Sequence, residues 1–124
     1  MKRILFIEDE EALQRSMEDS LKAGDYEVLK ALDGEIGVET AKKQHPDLIL
    51  LDLILPKKNG FEVLAELKKD ASTKNIPVMV LTNLEGSQDI EKALSLGATT
   101  YLVKANYNLQ DILKKIEMAI NHHS

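Results

Sequence analysis

Three carboxylates, a hydroxyl and an ammonium each stand directly at the end of an apolar run in this chain. Glu8 and Asp9 follow Ile4-Leu5-Phe6-Ile7, and Asp52 follows Leu48-Ile49-Leu50-Leu51. Thr82 closes the run at residues 78–81, and Lys104 follows Tyr101-Leu102-Val103. Clustered hard oxygens suit a small hard cation such as Mg²⁺, which takes one or two carboxylates, keeps waters and recruits phosphate oxygens. A carboxylate can also attack phosphorus and form an aspartyl phosphate. Lys104 then offers a point charge, and Thr82 a hydroxyl donor, to phosphoryl oxygens. Taken singly, each has a plainer explanation. Glu8-Asp9 suits a helix start, Thr82 a strand end and Lys104 a solvated edge charge. Asp52 is harder to dismiss, because it ends the most apolar run in the chain. Only their conjunction points to a shared site.

The elements that must position these groups can be read from periodicity. The apolar runs at residues 4–7, 28–29, 48–51, 78–81 and 101–103 are too short for buried helices and read as strands. Between them run helical stripes: Leu13, Met17 and Leu21; Phe61, Leu64, Ala65 and Lys68; Ile90, Ala93 and Leu94; and Leu109, Ile112, Leu113, Ile116 and Ile120. Residues 34–44 make a weaker helix, since Gly34 and Gly37 lower its propensity. Ser87 reads as a helix cap, and Gly24 and Gly97 as left-handed helix ends. Pro46 and Pro77 stand just before strands, where they interrupt no ladder.

Five strands alternating with five helices predict an α/β fold: a doubly wound, five-stranded parallel sheet with helices on both faces. The strands around residues 26–31 and 99–104 mix polar residues and read as edges. In such a sheet the crevice opens beyond the carboxyl ends of the strands, where all five candidate groups fall.

Composition removes several classes. The chain has 124 residues, enough for one domain, and no cysteine, which excludes disulfides, thiolate zinc sites and cysteine nucleophiles. Its net charge of −5 disfavours an electrostatic grip on nucleic acid or anionic lipid. The acidic string Glu8-Asp9-Glu10-Glu11 ends the only signal-like start, and no run could span a bilayer. A cytoplasmic location is expected.

The ordered set closely resembles the receiver domain of bacterial two-component response regulators, particularly the stand-alone, chemotaxis-regulator-like type. The resemblance covers nearly the whole chain and runs through Glu8-Asp9, Asp52, Pro56, Gly60, Thr82, Tyr101 and Lys104. It implies a flavodoxin-like (βα)₅ fold with strand order 2-1-3-4-5, a receiver domain over residues 1–121 and a C-terminal tail over 122–124. The histidines His122 and His123 fall in that tail.

It also implies roles. Asp52 would accept a phosphoryl group from a phosphohistidine on a sensor histidine kinase or phosphotransfer protein. Mg²⁺, with Mn²⁺ able to substitute, would be held by Glu8, Asp9, Asp52 and the backbone carbonyl of Ile54. Thr82, Asn83 and Lys104 would bind phosphoryl oxygens, and Thr82 with Tyr101 would form a switch. The surface of the fourth helix, fifth strand and fifth helix would then change its affinity for a downstream protein. The domain would be a signalling switch rather than an enzyme, a monomer or weak dimer without nucleic-acid or membrane contacts.

Several features test the resemblance. Ile54 and Leu84 lie two residues after Asp52 and Thr82, at positions that in this family flank the path of attacking water. Both are apolar, which implies slow dephosphorylation. Asn83 stands where the family usually has alanine or glycine and would narrow access. The family's lysine is commonly followed by proline through a cis bond, and the same backbone path predicts a cis bond between Lys104 and Ala105. That bond would cost about 2.5–4 kcal/mol before a non-proline residue.

Other readings fit less well. A haloacid-dehalogenase-type phosphatase needs a second acid two residues after its aspartate, where Ile54 stands. A flavodoxin-like electron carrier needs a Ser/Thr/Gly-rich phosphate loop, and Glu8-Asp9-Glu10-Glu11 would repel the flavin phosphate. A receiver-like interaction module that never accepts phosphate is the alternative that the intact acidic set opposes.

Overall fold

All five apolar runs are strands in the computed structural model, which describes residues 1–122. They are β1 (Arg3–Ile7), β2 (Glu27–Ala31), β3 (Leu48–Leu51), β4 (Val78–Thr82) and β5 (Thr100–Val103). They pair in parallel in the order β2-β1-β3-β4-β5. The helices are α1 (Glu11–Ala23), α2 (Gly34–Gln44), α3 (Gly60–Lys69), α4 (Ser87–Ser95) and α5 (Leu109–His122). Helix α5 therefore includes His122, at the expected domain boundary. The rest of the expected tail, with His123, lies outside the described residues.

Alternation along the strands explains why helices cover both faces. On β1, Leu5 and Ile7 join a core with Ile49, Leu51, Val78 and Val80, closed by Val38 and Ala41 of α2, Val63, Leu64 and Leu67 of α3, and Ala93 of α4. Ile4 and Phe6 point the other way, into a core with Leu48, Leu50, Met79, Leu81 and Leu102, closed by Met17 and Leu21 of α1 and Ile112, Ile116 and Ile120 of α5. Every residue of β3 and β4 is buried, which is why both read as unbroken apolar runs. The mixed strands β2 and β5 are the edges.

Several local expectations need correction. Helix α3 buries Gly60, Val63, Leu64 and Leu67, while Phe61, Ala65 and Lys68 are only half-buried. The buried stripe is rotated because α3 packs through Gly60 onto the loop after β3. In α4 only Ala93 is buried, and Leu94 is exposed. Ser87 is the first residue of α4, not its cap. The cap position belongs to Gly86, with no side-chain bond, and the extended backbone there leaves Ser87 already in the helix. After α1 the left-handed residue is Asp25, at φ 67°, while Gly24 sits at φ −90°. The Gly24 amide still bonds to the helix carbonyls, so the reversal falls one residue later. Gly97, at φ 112°, does take the left-handed conformation that glycine favours.

The peptide between Lys104 and Ala105 is trans, since no described peptide bond is cis. A short 3₁₀ turn over Lys104–Asn106 leads the chain out of β5 toward α5. That turn accommodates the exit with ordinary trans geometry, so nothing offsets the cost of a non-proline cis bond.

Candidate functional site

Strand order opens a crevice where the chain departs in opposite directions from neighbouring strands. Here the reversal lies between β1 and β3, the adjacent strands that precede Glu8-Asp9 and Asp52. The Asp52 N–H donates to the Ile7 carbonyl at 3.1 Å, so the two strand ends are tied together. Carboxylate oxygens of Glu8, Asp9 and Asp52 lie within 4.8 Å of one another. Hard oxygens gathered so closely match the donor set of a divalent cation.

Burial differs sharply within the trio. Glu8 is 1% exposed and Asp52 5%, whereas Asp9 is open to solvent. The Lys104 ammonium sits between the two buried acids, 2.6 Å from Glu8 Oε1 and 3.1 Å from Asp52 Oδ2. The second Glu8 oxygen accepts the Glu10 N–H at 3.1 Å, and Asp52 Oδ1 accepts the Ile54 N–H at 3.2 Å.

One ammonium thus serves two buried carboxylates, and burial penalises the charged form of Glu8. Burial raises the Glu8 pKa to about 7; the Lys104 hydrogen bond works against this and the Asp52 charge adds to it. For Lys104, burial pulls the pKa down. The hydrogen bond to Glu8 and the charges of Asp52 and Glu8 outweigh that, leaving the ammonium above its ordinary value. The lysine is therefore firmly charged.

The remaining expected residues lie around this centre without joining it. Thr82 is fully buried at the end of β4, and its hydroxyl accepts the Leu84 N–H at 3.4 Å. Asn83 is exposed on the loop that follows. Tyr101 is half-buried on β5 and donates its hydroxyl to the Leu84 carbonyl at 2.8 Å, so it rests on the loop after Thr82 rather than on the acids. The Ile54 side chain is 56% exposed beside Asp52.

The packing of α3 holds the loop after β3 in place. A Cβ on Gly60 would lie 2.4 Å from the Leu53 Cα and 2.5 Å from the Asp52 carbonyl oxygen. Only glycine lets the helix start come this close. Asn59 caps it by accepting the Glu62 N–H at 3.0 Å.

The sequence reading missed one residue of this neighbourhood. Gln14 of α1 is 4% exposed, and its amide donates to the carbonyls of Glu8 at 2.8 Å, Ala31 at 3.0 Å and Phe6 at 3.3 Å. The available signal was its spacing. Gln14 lies three residues before Met17 and seven before Leu21, which puts a polar amide on the buried stripe of the helix.

A family model described as the response regulator receiver domain matches residues 4–117. The chain belongs to that family. Response regulator Rcp1 of Synechocystis is 38% identical over 94% of this receiver domain and 84% of its own length. The DNA-binding regulator RpaA of Synechocystis is 39% identical over 94% of the domain but only 48% of itself. The chain spans about half or less of the length of several such relatives.

Among solved structures, a CheY-like receiver domain from Methanospirillum hungatei superposes with a TM-score of 0.92 at 27% identity, covering 99% of this chain and 96% of that one. An Mn²⁺-bound form of Rcp1 superposes at 0.78 with 38% identity, covering 98% and 91%. The receiver fold and its order 2-1-3-4-5 are thereby established for this chain. Among the described residues no helix is long and apolar enough to cross a membrane.

Proposed function

We propose that this receiver domain is a phosphoacceptor switch of a two-component system, with Asp52 as the acceptor. The observation that carries this reading is the placement of Lys104 3.1 Å from Asp52, beside a cluster of three carboxylates gathered from two other strand ends. The donor would be a phosphohistidine on a sensor histidine kinase or phosphotransfer protein. An Asp52 carboxylate oxygen bonds to phosphorus as the P–N bond breaks. The imidazole nitrogen keeps the bonding pair and takes up a proton.

Glu8, Asp9, Asp52 and the Ile54 carbonyl would hold Mg²⁺, or Mn²⁺ in its place; the close carboxylate oxygens fit a hard divalent ion. Such an ion supplies charge neutralisation for the incoming phosphoryl oxygens. Lys104 pairs with a phosphoryl oxygen once transfer is complete. Thr82 turns its hydroxyl toward the phosphoryl group, and the Asn83 position lines the entrance. Thr82 and Tyr101 both bond within the loop at Leu84, which supports coupling between them. A shift there would alter the surface of α4, β5 and α5 and so the affinity for a downstream protein. The phosphoryl group must favour one arrangement of that surface for any switching to occur. The working location would be cytoplasmic, with monomers or weak dimers as the acting species.

Two neighbours support this reading. The phosphorylated cyanobacterial phytochrome response regulator RcpA is 38% identical with a TM-score of 0.82. The Mn²⁺-bound Rcp1 shows a divalent ion in a relative. Intact-mass measurement after treatment with acetyl phosphate and Mg²⁺ tests the assignment. One phosphoryl group should be gained by the wild type and none by Asp52→Asn. An equal gain in the variant would overturn it, and no gain in either would favour a module that does not accept phosphate.

A further inference from the structure

The carboxyl end of β1 poses a backbone problem that the sheet alone does not solve. Past Ile7 the strand has ended, yet the Glu8 peptide is buried and must present Asp9 to the crevice. The Glu8 N–H donates to the Ala31 carbonyl at 3.0 Å. The Glu8 carbonyl accepts from Gln14 Nε2 at 2.8 Å, and the same nitrogen donates to the Ala31 carbonyl at 3.0 Å. Both sides of the Glu8 residue are thus clamped to one point. The clamped carbonyl belongs to the peptide bond that leads into Asp9, so its plane sets the direction from which Asp9 departs.

The geometry points to Gln14 as a positioning residue that holds the Glu8–Asp9 peptide in the orientation needed for divalent cation binding. This rests on the reading of Glu8, Asp9 and Asp52 as a cation site. Gln14 touches none of the three carboxylates among its hydrogen bonds; it acts on the backbone between two of them. A shape-matched methionine would fill the same space and leave the Glu8 carbonyl without its side-chain donor. Partners behind metal ligands commonly change affinity by 10–100-fold.

The experiment is Mg²⁺ titration by calorimetry on the full chain, comparing wild type, Gln14→Met and Ile116→Val. Ile116 is a buried core residue of α5 and serves as a control for general loosening. Gln14→Met should bind Mg²⁺ about 10-fold more weakly, while Ile116→Val stays within about twofold of wild type. Unchanged affinity in a folded Gln14→Met overturns the positioning role. Equal weakening in both variants also overturns it, because loosening alone would then suffice. Failure of the wild type to bind Mg²⁺ sinks the cation site itself. Should Gln14→Met not fold, the wild type still decides by NMR. The Gln14 side-chain amide should exchange slowly and shift with the same Mg²⁺ midpoint as the Asp9 backbone amide. A Gln14 signal indifferent to Mg²⁺ overturns the proposal.

Discussion

Glu8 is buried against Lys104, and its ionisation is therefore coupled to folding. Its pKa is raised from an ordinary 4.5 to about 7, chiefly by burial. A carboxyl that is harder to ionise in the folded state binds protons there more readily than in the unfolded chain. Its contribution to stability is therefore fully present below pH 4.5 and is lost as pH rises through 7. Integrating between those two values predicts a loss on the order of 2–3 kcal/mol of unfolding free energy between pH 5 and pH 8. That figure applies without a bound cation, since an ion beside Glu8 would favour the carboxylate. Glu8→Gln keeps the shape and an oxygen acceptor for Lys104 but cannot titrate. Urea unfolding in EDTA at pH 5, 6, 7 and 8 should show the wild type declining more steeply than the variant by about that amount. Comparing slopes cancels whatever the amide itself costs. Parallel declines would show that Glu8 pays no burial penalty and would refute the reasoning. Saturating Mg²⁺ should flatten the wild-type profile selectively.

The remaining predictions concern metal, lifetime and backbone packing. Asp9→Ala should weaken Mg²⁺ binding by at least about 10-fold while leaving the unfolding midpoint nearly unchanged, because Asp9 is exposed; calorimetry and urea melts check both. Polar replacement of Ile54 and Leu84 together should speed decay of the phosphorylated form, followed by intact mass over time, because apolar side chains there cannot orient water by hydrogen bonding. Unchanged decay would argue against a role for these positions. Gly60→Ala should destabilise the fold by about 2–4 kcal/mol in urea, since its Cβ would meet backbone atoms of Asp52 and Leu53 at 2.5 Å and 2.4 Å. An unchanged midpoint would mean that α3 can back away from the loop at little cost.

Local pattern alone determined the order of elements, the parallel sheet with its buried centre and mixed edges, and the strand-end location of Glu8, Asp9, Asp52, Thr82 and Lys104. These are legible because hydrophobic periodicity and strand length act over a few residues. Resemblance supplied the strand order and the roles, which periodicity does not encode. Tertiary packing decided the rest. Whether α3 buried Phe61 or Val63 depended on how closely Gly60 approached the Asp52 backbone, a contact that closes the loop between β3 and α3. The trans exit from Lys104 depended on the 3₁₀ turn that follows β5, and a family habit built around proline misjudged it. Gln14 escaped notice because its partners are the carbonyls of two strand ends, 6 and 17 residues away for Glu8 and Ala31. No motif marks a backbone carbonyl. The division of one ammonium between two buried acids was likewise invisible in the chain. Lys104 and Glu8 are 96 residues apart, and only the folded sheet sets their separation, their burial and so their charge.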